Sequence, residues 1–140
     1  MLLDHQTRRN LELFESGRWG DTSHSLLVNL DFTGTPMGGR LLRKWLSQPL
    51  LDLVELERRQ EAVEALFSDG IRREEIAAVL RTISDLERLL NRVATGVAIP
   101  RELVSLRIGL ESVARLKTLM ENGGNILPWM SDDIDPCEHV

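Results

Sequence analysis

The chain has 140 residues, with 17 basic and 22 acidic side chains, and its formal net charge is −5. This length allows one hydrophobic core but not two large ones. No apolar run approaches the ~18–20 residues that a membrane-spanning helix needs. A protein whose own surface covers DNA phosphates is usually basic, so the charge argues against a self-sufficient nucleic-acid binder. The single cysteine, Cys137, excludes an intrachain disulfide and fits a reducing compartment.

Most of the negative charge lies at the end of the chain. Residues 1–122 carry 17 basic and 18 acidic groups, a net charge of −1, whereas residues 123–140 carry four acidic groups and no basic one. Fifteen of the basic side chains are arginine, which favours planar, bidentate partners such as carboxylates and phosphates. The tail, 123–140, has two prolines and no periodicity. We predict that it is irregular.

Helical periodicity dominates the chain from its beginning. Asp4 is a candidate N-cap for a first helix that runs to about Glu15. After a glycine-containing loop, Ser23 or Ser25 can cap a short helix. The leucines of that short helix are Leu26, Leu27 and Leu30.

The strongest helix start is Thr35 followed by Pro36, because threonine caps well and a proline at the first helical position loses no hydrogen bond. The apolar stripe of this helix comprises Leu41, Leu42, Trp45 and Leu46. Pro49 ends the helix. Gly38 and Gly39 in its first turn each cost about 1 kcal/mol relative to alanine. Close packing of the backbone against a neighbour is favoured over a hinge as their explanation.

Two helices are predicted in the middle of the chain. Asp52 caps the first, which runs to about Ser68. Its predicted buried face comprises Leu53, Leu56, Val63, Leu66 and Phe67. The second covers about residues 72–83.

Two further helices complete the series. Asp85 caps a helix that Gly96 ends. Pro100 opens the last and longest helix, which runs to about Asn122, before two glycines. The chain therefore contains roughly seven helices and no sheet, and the predicted fold class is all-α.

We predict no catalytic, cofactor-binding or metal-binding residue. Segment 34–40 is rich in glycine but lacks the lysine and the preceding strand of a phosphate-binding loop. Segment 21–24 holds an aspartate, a serine and a histidine, but adjacency in sequence is not the geometry of a catalytic triad. Cys137 and His139 have no second ligand pair that would complete a tetrahedral metal site.

Three arginine pairs, at residues 8–9, 58–59 and 72–73, are candidates for phosphate contacts. Consecutive helical residues point about 100° apart, so each pair divides between two faces. No aromatic residues alternate with these pairs as base-stacking platforms would require. Solvated faces or internal ion pairs are the favoured interpretation. The residues alone thus indicate a helical, non-catalytic interaction or connecting module.

Three segments form more specific patterns. They are residues 3–13 (LDHQTRRNLEL), residues 35–50 (TPMGGRLLRKWLSQPL), and residues 85–92 (DLERLLNR) followed by 100–103 (PREL). In order and spacing they resemble the helical core, or lever, domain of the MutS DNA mismatch-repair family. The resemblance covers about residues 3–120, and the second segment is the most specific of the three.

The resemblance implies that residues 1–122 are the part of a lever domain that precedes a DNA clamp. It implies a several-fold longer protein that recognises mispaired DNA in an ATP-dependent manner. The ATPase, with its ATP and Mg, would lie outside this chain, so this segment would not itself be an enzyme. The implied partners are mismatched duplex DNA, a second copy of the whole protein and a MutL-type repair protein, with no membrane. The implied location is the cytoplasm, at the nucleoid when the protein acts on DNA.

Twelve residues are candidates for structural and coupling roles within such a lever. They are Thr35, Pro36, Gly38, Arg40, Arg43, Trp45, Pro49, Asp85, Arg88, Arg92, Pro100 and Arg101. Helix ends would be fixed by Thr35, Pro36, Gly38 and Pro49. Polar contacts between helices would be made by Asp85, Arg88, Arg92 and Arg101.

Two positions depart from the family pattern. Ile99 stands before Pro100, where a small capping residue is common, so the cap is lost or supplied in another way. Gly109 lies inside the last helix, at an expected cost of about 1 kcal/mol. Both would lower the stability of that helix.

Two alternatives remain at this point. One is a stand-alone scaffold that dimerises through the apolar stripe from Leu103 to Met120, and sedimentation of the chain would distinguish it from a lever. The other is an independent DNA-binding module, which would bind duplex DNA with a steep dependence on salt.

Overall fold

The computed structural model describes residues 3–17, 21–121 and 134. Its helices within these residues are α1 (His5–Asn10), α2 (Leu26–Leu30), α3 (Pro36–Ser47), α4 (Leu53–Ser68), α5 (Gly70–Leu80), α6 (Leu86–Ala94) and α7 (Pro100–Glu121). In the same residues the only β-type pairing is one antiparallel bridge between Ser16 and Asp21. The predicted all-α class is confirmed. The predictions for the acidic tail, except at residue 134, and for Cys137 and His139 fall outside the described residues.

The chain divides into two compact units, Met1–Leu56 and Glu57–Val140, and the division falls inside α4. In the first unit α2 contacts α3, and in the second unit α7 contacts both α5 and α6. None of the described helices combines the length and the apolar composition that crossing a membrane requires.

Most helices begin at the predicted capping residues. The side chains of Asp4, Ser25 and Thr35 each accept a hydrogen bond from the backbone N–H three residues later, at 2.6, 3.4 and 3.0 Å. In the second unit Asp85 accepts in the same way at 3.2 Å. These bonds satisfy backbone N–H groups that have no partner inside the helix. Of the two serines proposed for α2, the cap is Ser25 and not Ser23.

Helix α1 ends at Asn10, well before the predicted end near Glu15. Glu12 has a φ of 48°, in the left-handed region, which stops the helix. The N–H of Glu12 then donates to the Arg9 carbonyl at 3.0 Å, and the N–H of Leu13 to the Arg8 carbonyl at 3.1 Å. This pair of bonds is a Schellman cap. The stop was missed because glycine, the usual signal at this position, is absent.

Helix α4 begins after Asp52, whose carboxylate accepts hydrogen bonds from the N–H groups of Val54 and Glu55 at 3.0 and 3.3 Å. The cap is therefore confirmed, but most of the predicted buried face is exposed. Leu53, Val63 and Phe67 are 72%, 68% and 78% exposed, whereas Leu56 and Leu66 are half-buried. Periodicity places side chains on one face but does not supply a facing element, and α4 makes no extensive contact with another described helix.

Helix α5 is displaced toward the N terminus from the predicted range 72–83. Asp69 is a cap that sequence analysis missed, and it accepts a hydrogen bond from the Arg72 N–H at 3.0 Å. At the other end the Thr82 hydroxyl donates to the Val79 carbonyl at 2.7 Å. This bond occupies a carbonyl of the last turn, and the helix stops there.

Helix α6 ends at the predicted glycine. Gly96 has a φ of 70°, and its N–H donates to the Val93 carbonyl at 3.0 Å. The N–H of Val97 donates to the Arg92 carbonyl, also at 3.0 Å. This is again a Schellman cap, here with the residue that adopts a left-handed conformation at no steric cost.

Helices α5, α6 and α7 enclose the core of the second unit. Its buried apolar side chains include Val79, Ile83, Leu89 and Met120. Gly109 of α7 is buried too, and a Cβ atom there would lie 2.6 Å from Leu86 Cδ2. The glycine therefore permits a close approach between α6 and α7, which explains its position inside a helix.

Candidate functional site

The twelve predicted residues fall into two groups, one in each unit. The first unit holds Thr35, Pro36, Gly38, Arg40, Arg43, Trp45 and Pro49, and the second holds Asp85, Arg88, Arg92, Pro100 and Arg101. Each group therefore lies within one compact unit, and we describe the groups separately.

The start of α3 packs against the loop that precedes it. The Gly38 N–H donates to Thr35 Oγ1 at 3.0 Å, with Pro36 at the first helical position. A Cβ atom at Gly38 would lie 3.1 Å from Thr35 Oγ1 and 3.4 Å from Thr33 Cβ. Close packing therefore accounts for this glycine, although its neighbour is the adjacent loop and not another helix.

A short turn holds that loop in place. The Thr33 hydroxyl donates to Asp31 Oδ1 at 2.6 Å, and the Thr33 N–H donates to the same atom at 3.1 Å. These two bonds, the hydroxyl first, hold the pKa of the Asp31 carboxyl below its ordinary value. The Asp31 carboxylate is therefore charged at neutral pH and accepts both hydrogen bonds from Thr33. These bonds hold Thr33 beside Gly38 in the first turn of α3.

This glycine-rich segment does not fit a nucleotide. The Gly38 N–H already donates to Thr35 Oγ1, and the Gly39 N–H donates to the Thr35 carbonyl at 3.1 Å. A phosphate-binding loop instead presents free N–H groups after a strand. Among the described residues there is also no group of three His, Cys, Asp or Glu side chains that could hold a metal ion.

Arginine contacts join α1 to α3. Arg8 Nη2 donates to the Ser47 carbonyl at the C-terminal end of α3, at 3.4 Å. The Arg43 guanidinium lies 4.4 Å from the centroid of the Phe14 ring, which is a cation–π contact. Sequence analysis assigned Arg8 to a solvated face or an internal ion pair, and the structure gives it a hydrogen bond to a backbone carbonyl of a second helix.

The remaining predicted residues of the first unit lie on or just after α3. Arg40 and Trp45 are exposed on the helix, and Trp45 was predicted to lie on an apolar stripe. Pro49 is half-buried and follows Gln48, which caps the helix C terminus. The proline therefore stands at the end of α3, where it cannot continue a helix.

Arg92 and Glu102 connect α6 to α7. Arg92 Nε lies 2.7 Å from Glu102 Oε1, and Arg92 Nη2 donates to the Val97 carbonyl at 2.9 Å. Glu102 Oε2 accepts a hydrogen bond from the Ile99 N–H at 3.0 Å. One arginine and one glutamate therefore organise the turn between the two helices.

The same contacts shift the titration of Glu102. The Arg92 guanidinium, followed by the Ile99 N–H, holds the pKa of the Glu102 carboxyl below its ordinary value, and partial burial opposes this shift. Glu102 stands at the third position of α7, where a glutamate can bond back to the backbone before the helix. Glu102 thus satisfies the backbone N–H of Ile99, which is one of the two bonds of a capping box; the other bond needs a side-chain oxygen, which Ile99 lacks.

The other predicted residues of this unit have simpler positions. Asp85 caps α6 by accepting from the Arg88 N–H, and Pro100 is the first residue of α7. Arg88 and Arg101 are exposed. Sequence analysis missed Glu102, although its spacing from the start of α7 carries the signal of a capping box.

Helix α7 is also held at its other end. Arg72 Nη1 donates to the Leu119 carbonyl at 2.8 Å, and Arg72 Nε lies 3.5 Å from Asp69 Oδ2. A cation at the C-terminal end of a helix can donate to a carbonyl that has no partner inside the helix. Its positive charge also interacts favourably with the negative end of the helix dipole. The longest helix is therefore tied to α6 near its start and to α5 near its end.

In each of the two units, arginine side chains join one helix to another. The MutS domain III family model matches residues 6–130 of the chain. The chain belongs to this family. The match extends beyond about residue 120, where the resemblance read from the sequence ends.

Curated relatives carry the name DNA mismatch repair protein MutS. The protein of Pelotomaculum thermopropionicum is 41% identical over 142 residues, covering 100% of this chain and 16% of the relative. Those of Roseiflexus castenholzii and Alkaliphilus oremlandii are 47% and 43% identical, over 87% and 100% of this chain and 11% and 16% of the relatives. The chain thus spans less than a fifth of the length of the relatives it matches.

Proposed function

We propose that this chain is a lever in a protein that recognises mispaired DNA in an ATP-dependent manner. In this proposal the helices connect a DNA clamp to an ATPase, and both lie outside the described residues. ATP with Mg, mismatched duplex DNA, a second copy of the whole protein and a MutL-type protein are proposed for the longer protein only. Its proposed location is the cytoplasm, at the nucleoid when it acts on DNA. Membership of the MutS family supports these assignments.

The observation that carries the lever role is the anchoring of α7. A helix of 22 residues is roughly 33 Å long. Glu102 ties its first turn to Arg92 of α6, and the Leu119 carbonyl ties its last turn to Arg72 of α5. A stiff element that is held at both ends can carry a displacement from one end to the other.

A chimeric protein provides the test of this proposal. The 140-residue segment would replace the matching segment of the Pelotomaculum thermopropionicum relative, which aligns with 100% of this chain. In that chimera we expect Gly38→Val to weaken the coupling between ATP and DNA, because the larger side chain meets Thr33 and Thr35. Nucleotide binding by the isolated ATPase domain should be unchanged.

The control is Gly70→Ala, since a Cβ atom at Gly70 meets nothing closer than Arg73 Nη2 at 3.5 Å. The measurement is the rate of ATP-induced release from mismatched DNA, with the fold checked by circular dichroism. Unchanged coupling in a correctly folded Gly38→Val chimera would contradict the role given to this glycine.

The alternative of a stand-alone dimeric scaffold finds less support. Along the proposed dimer stripe Leu103 is 49% exposed, Leu106 and Leu110 are half-buried, and Met120 is buried within one chain. A second copy would therefore find the end of that stripe covered and its start accessible. Sedimentation of the 140-residue chain distinguishes the two, because a tight dimer favours the scaffold and a monomer favours the lever.

A further inference from the structure

A groove in the first unit gathers positive charge. Between α1, the turn after it and α3 lie two adjoining hollows of about 150 and 370 Å³. The cations that line them are Arg8, Arg9, Arg40, Arg43 and Lys44, around the ring of Phe14. We call these six residues the cationic groove. Sequence analysis had divided Arg8 and Arg9 between two faces of one helix, and the missing information was that residues of α1 and α3 line the same hollows.

Among the described residues that line the two hollows, the single acidic side chain is Glu15, in the smaller hollow. Two other carboxylates of this unit accept hydrogen bonds from nearby threonines, Asp4 from Thr7 and Asp31 from Thr33. The described lining therefore carries five basic side chains and one acidic side chain.

One cation of the groove lies over an aromatic ring. The guanidinium carbon of Arg43 lies 4.4 Å from the centroid of the Phe14 ring. A cation–π contact restricts the side chain, and a side chain that is already restricted loses less conformational entropy when it binds an oxyanion. The planar guanidinium carries five N–H donors, which suit the oxygens of an oxyanion. Lys44, on the next residue of α3, adds a second exposed charge.

We propose that the cationic groove binds the phosphodiester backbone of duplex DNA, as a site additional to the clamp of the proposed function. Planar, bidentate arginine donors and a lysine charge suit phosphate oxygens. The inference rests on the proposed function only for the choice of DNA over an acidic protein segment. The net charge of −5 weakens the binding, so the contact serves in a longer protein that other elements already hold on DNA.

The test uses the 140-residue chain, with a short, fully paired DNA duplex and no nucleotide. We expect weak binding at low salt, with amide shifts in NMR spectra confined to α1, the following turn and α3. Lys44→Gln and Arg43→Gln should each weaken binding, and each should reduce the slope of log K against log salt by about 0.9. The matched control is Arg115→Gln, which removes one exposed charge from α7 and should leave the slope unchanged.

Three results would overturn the proposal. The first is no binding of duplex by the unmodified chain at low salt. The second is equal weakening by Arg115→Gln and Lys44→Gln, which would indicate attraction by net charge alone. The third is binding of a polyglutamate peptide at these amides without binding of duplex, which would assign the groove to an acidic protein segment. Because no nucleotide is present, each result is independent of the lever test.

Discussion

Single side chains set the geometry at the junction of α6 and α7. Gly109 allows the two helices to approach, with Leu86 filling the space that a Cβ atom would need. Glu102 accepts a hydrogen bond from the backbone N–H of Ile99 and also pairs with Arg92. The glycine therefore sets how closely the two helices approach, and the glutamate fixes the turn between them.

Gly109→Val should destabilise the chain. The added atoms would enter the space of Leu86 Cδ2, which lies 2.6 Å from an ideal Cβ position. Overpacking of this kind costs about 1–3 kcal/mol, more than the helix propensity that valine gains over glycine. Urea denaturation measures the change. Gly70→Ala is the control and should raise stability by up to about 1 kcal/mol. Equal effects at the two positions would refute the close approach.

Glu102 should make stability depend on pH. Its pKa is lowered in the folded chain, so its contribution is complete above the ordinary glutamate pKa and is lost as the pH falls through the lowered value. Glu102→Gln keeps an oxygen that can accept from the Ile99 N–H but removes the negative charge. The difference in the free energy of unfolding between this variant and the wild type should therefore shrink at acid pH. The control is Glu111→Gln, whose pair with Arg107 joins no two helices. If the difference in the free energy of unfolding stayed constant with pH, the ion pair between Glu102 and Arg92 would not contribute to stability.

The helices differ in how far the sequence determined them. Those with a capping side chain or a glycine stop, such as α3 and the end of α6, were predicted correctly because the signal is local. Helix α1 was predicted too long because Glu12 adopts a left-handed conformation without being glycine. The buried face of α4 was predicted wrongly because burial depends on a facing element that local sequence does not specify. The groove between α1 and α3 was missed for the same reason.

The exposed face of α4 leads to a prediction at the scale of the helix. Phe67 is 78% exposed, so Phe67→Ser should change the free energy of unfolding of the 140-residue chain by less than about 0.5 kcal/mol. Leu89→Ala in α6, where the side chain is 3% exposed, should cost about 2–5 kcal/mol. Thermal and urea denaturation of both variants provides the comparison. A large loss with Phe67→Ser would mean that this face is covered in the chain.

At the scale of the whole molecule, two properties of the chain are shown. The described residues form seven helices, and the family model identifies the chain as a MutS domain III. The relatives it matches carry the name DNA mismatch repair protein MutS. The individual roles of the twelve candidate residues stay predictions, since coupling is a difference between two states and requires a measurement of both.

The most direct test of the lever is Glu102→Gln in the chimeric MutS protein. This change keeps the hydrogen bond to Ile99 possible and removes the ion pair that ties α7 to α6. Mismatch binding and nucleotide binding, each measured alone, should be retained, while ATP-induced release from mismatched DNA should slow several-fold. Release at the unmodified rate, in a chimera that binds both ligands normally, would contradict the lever.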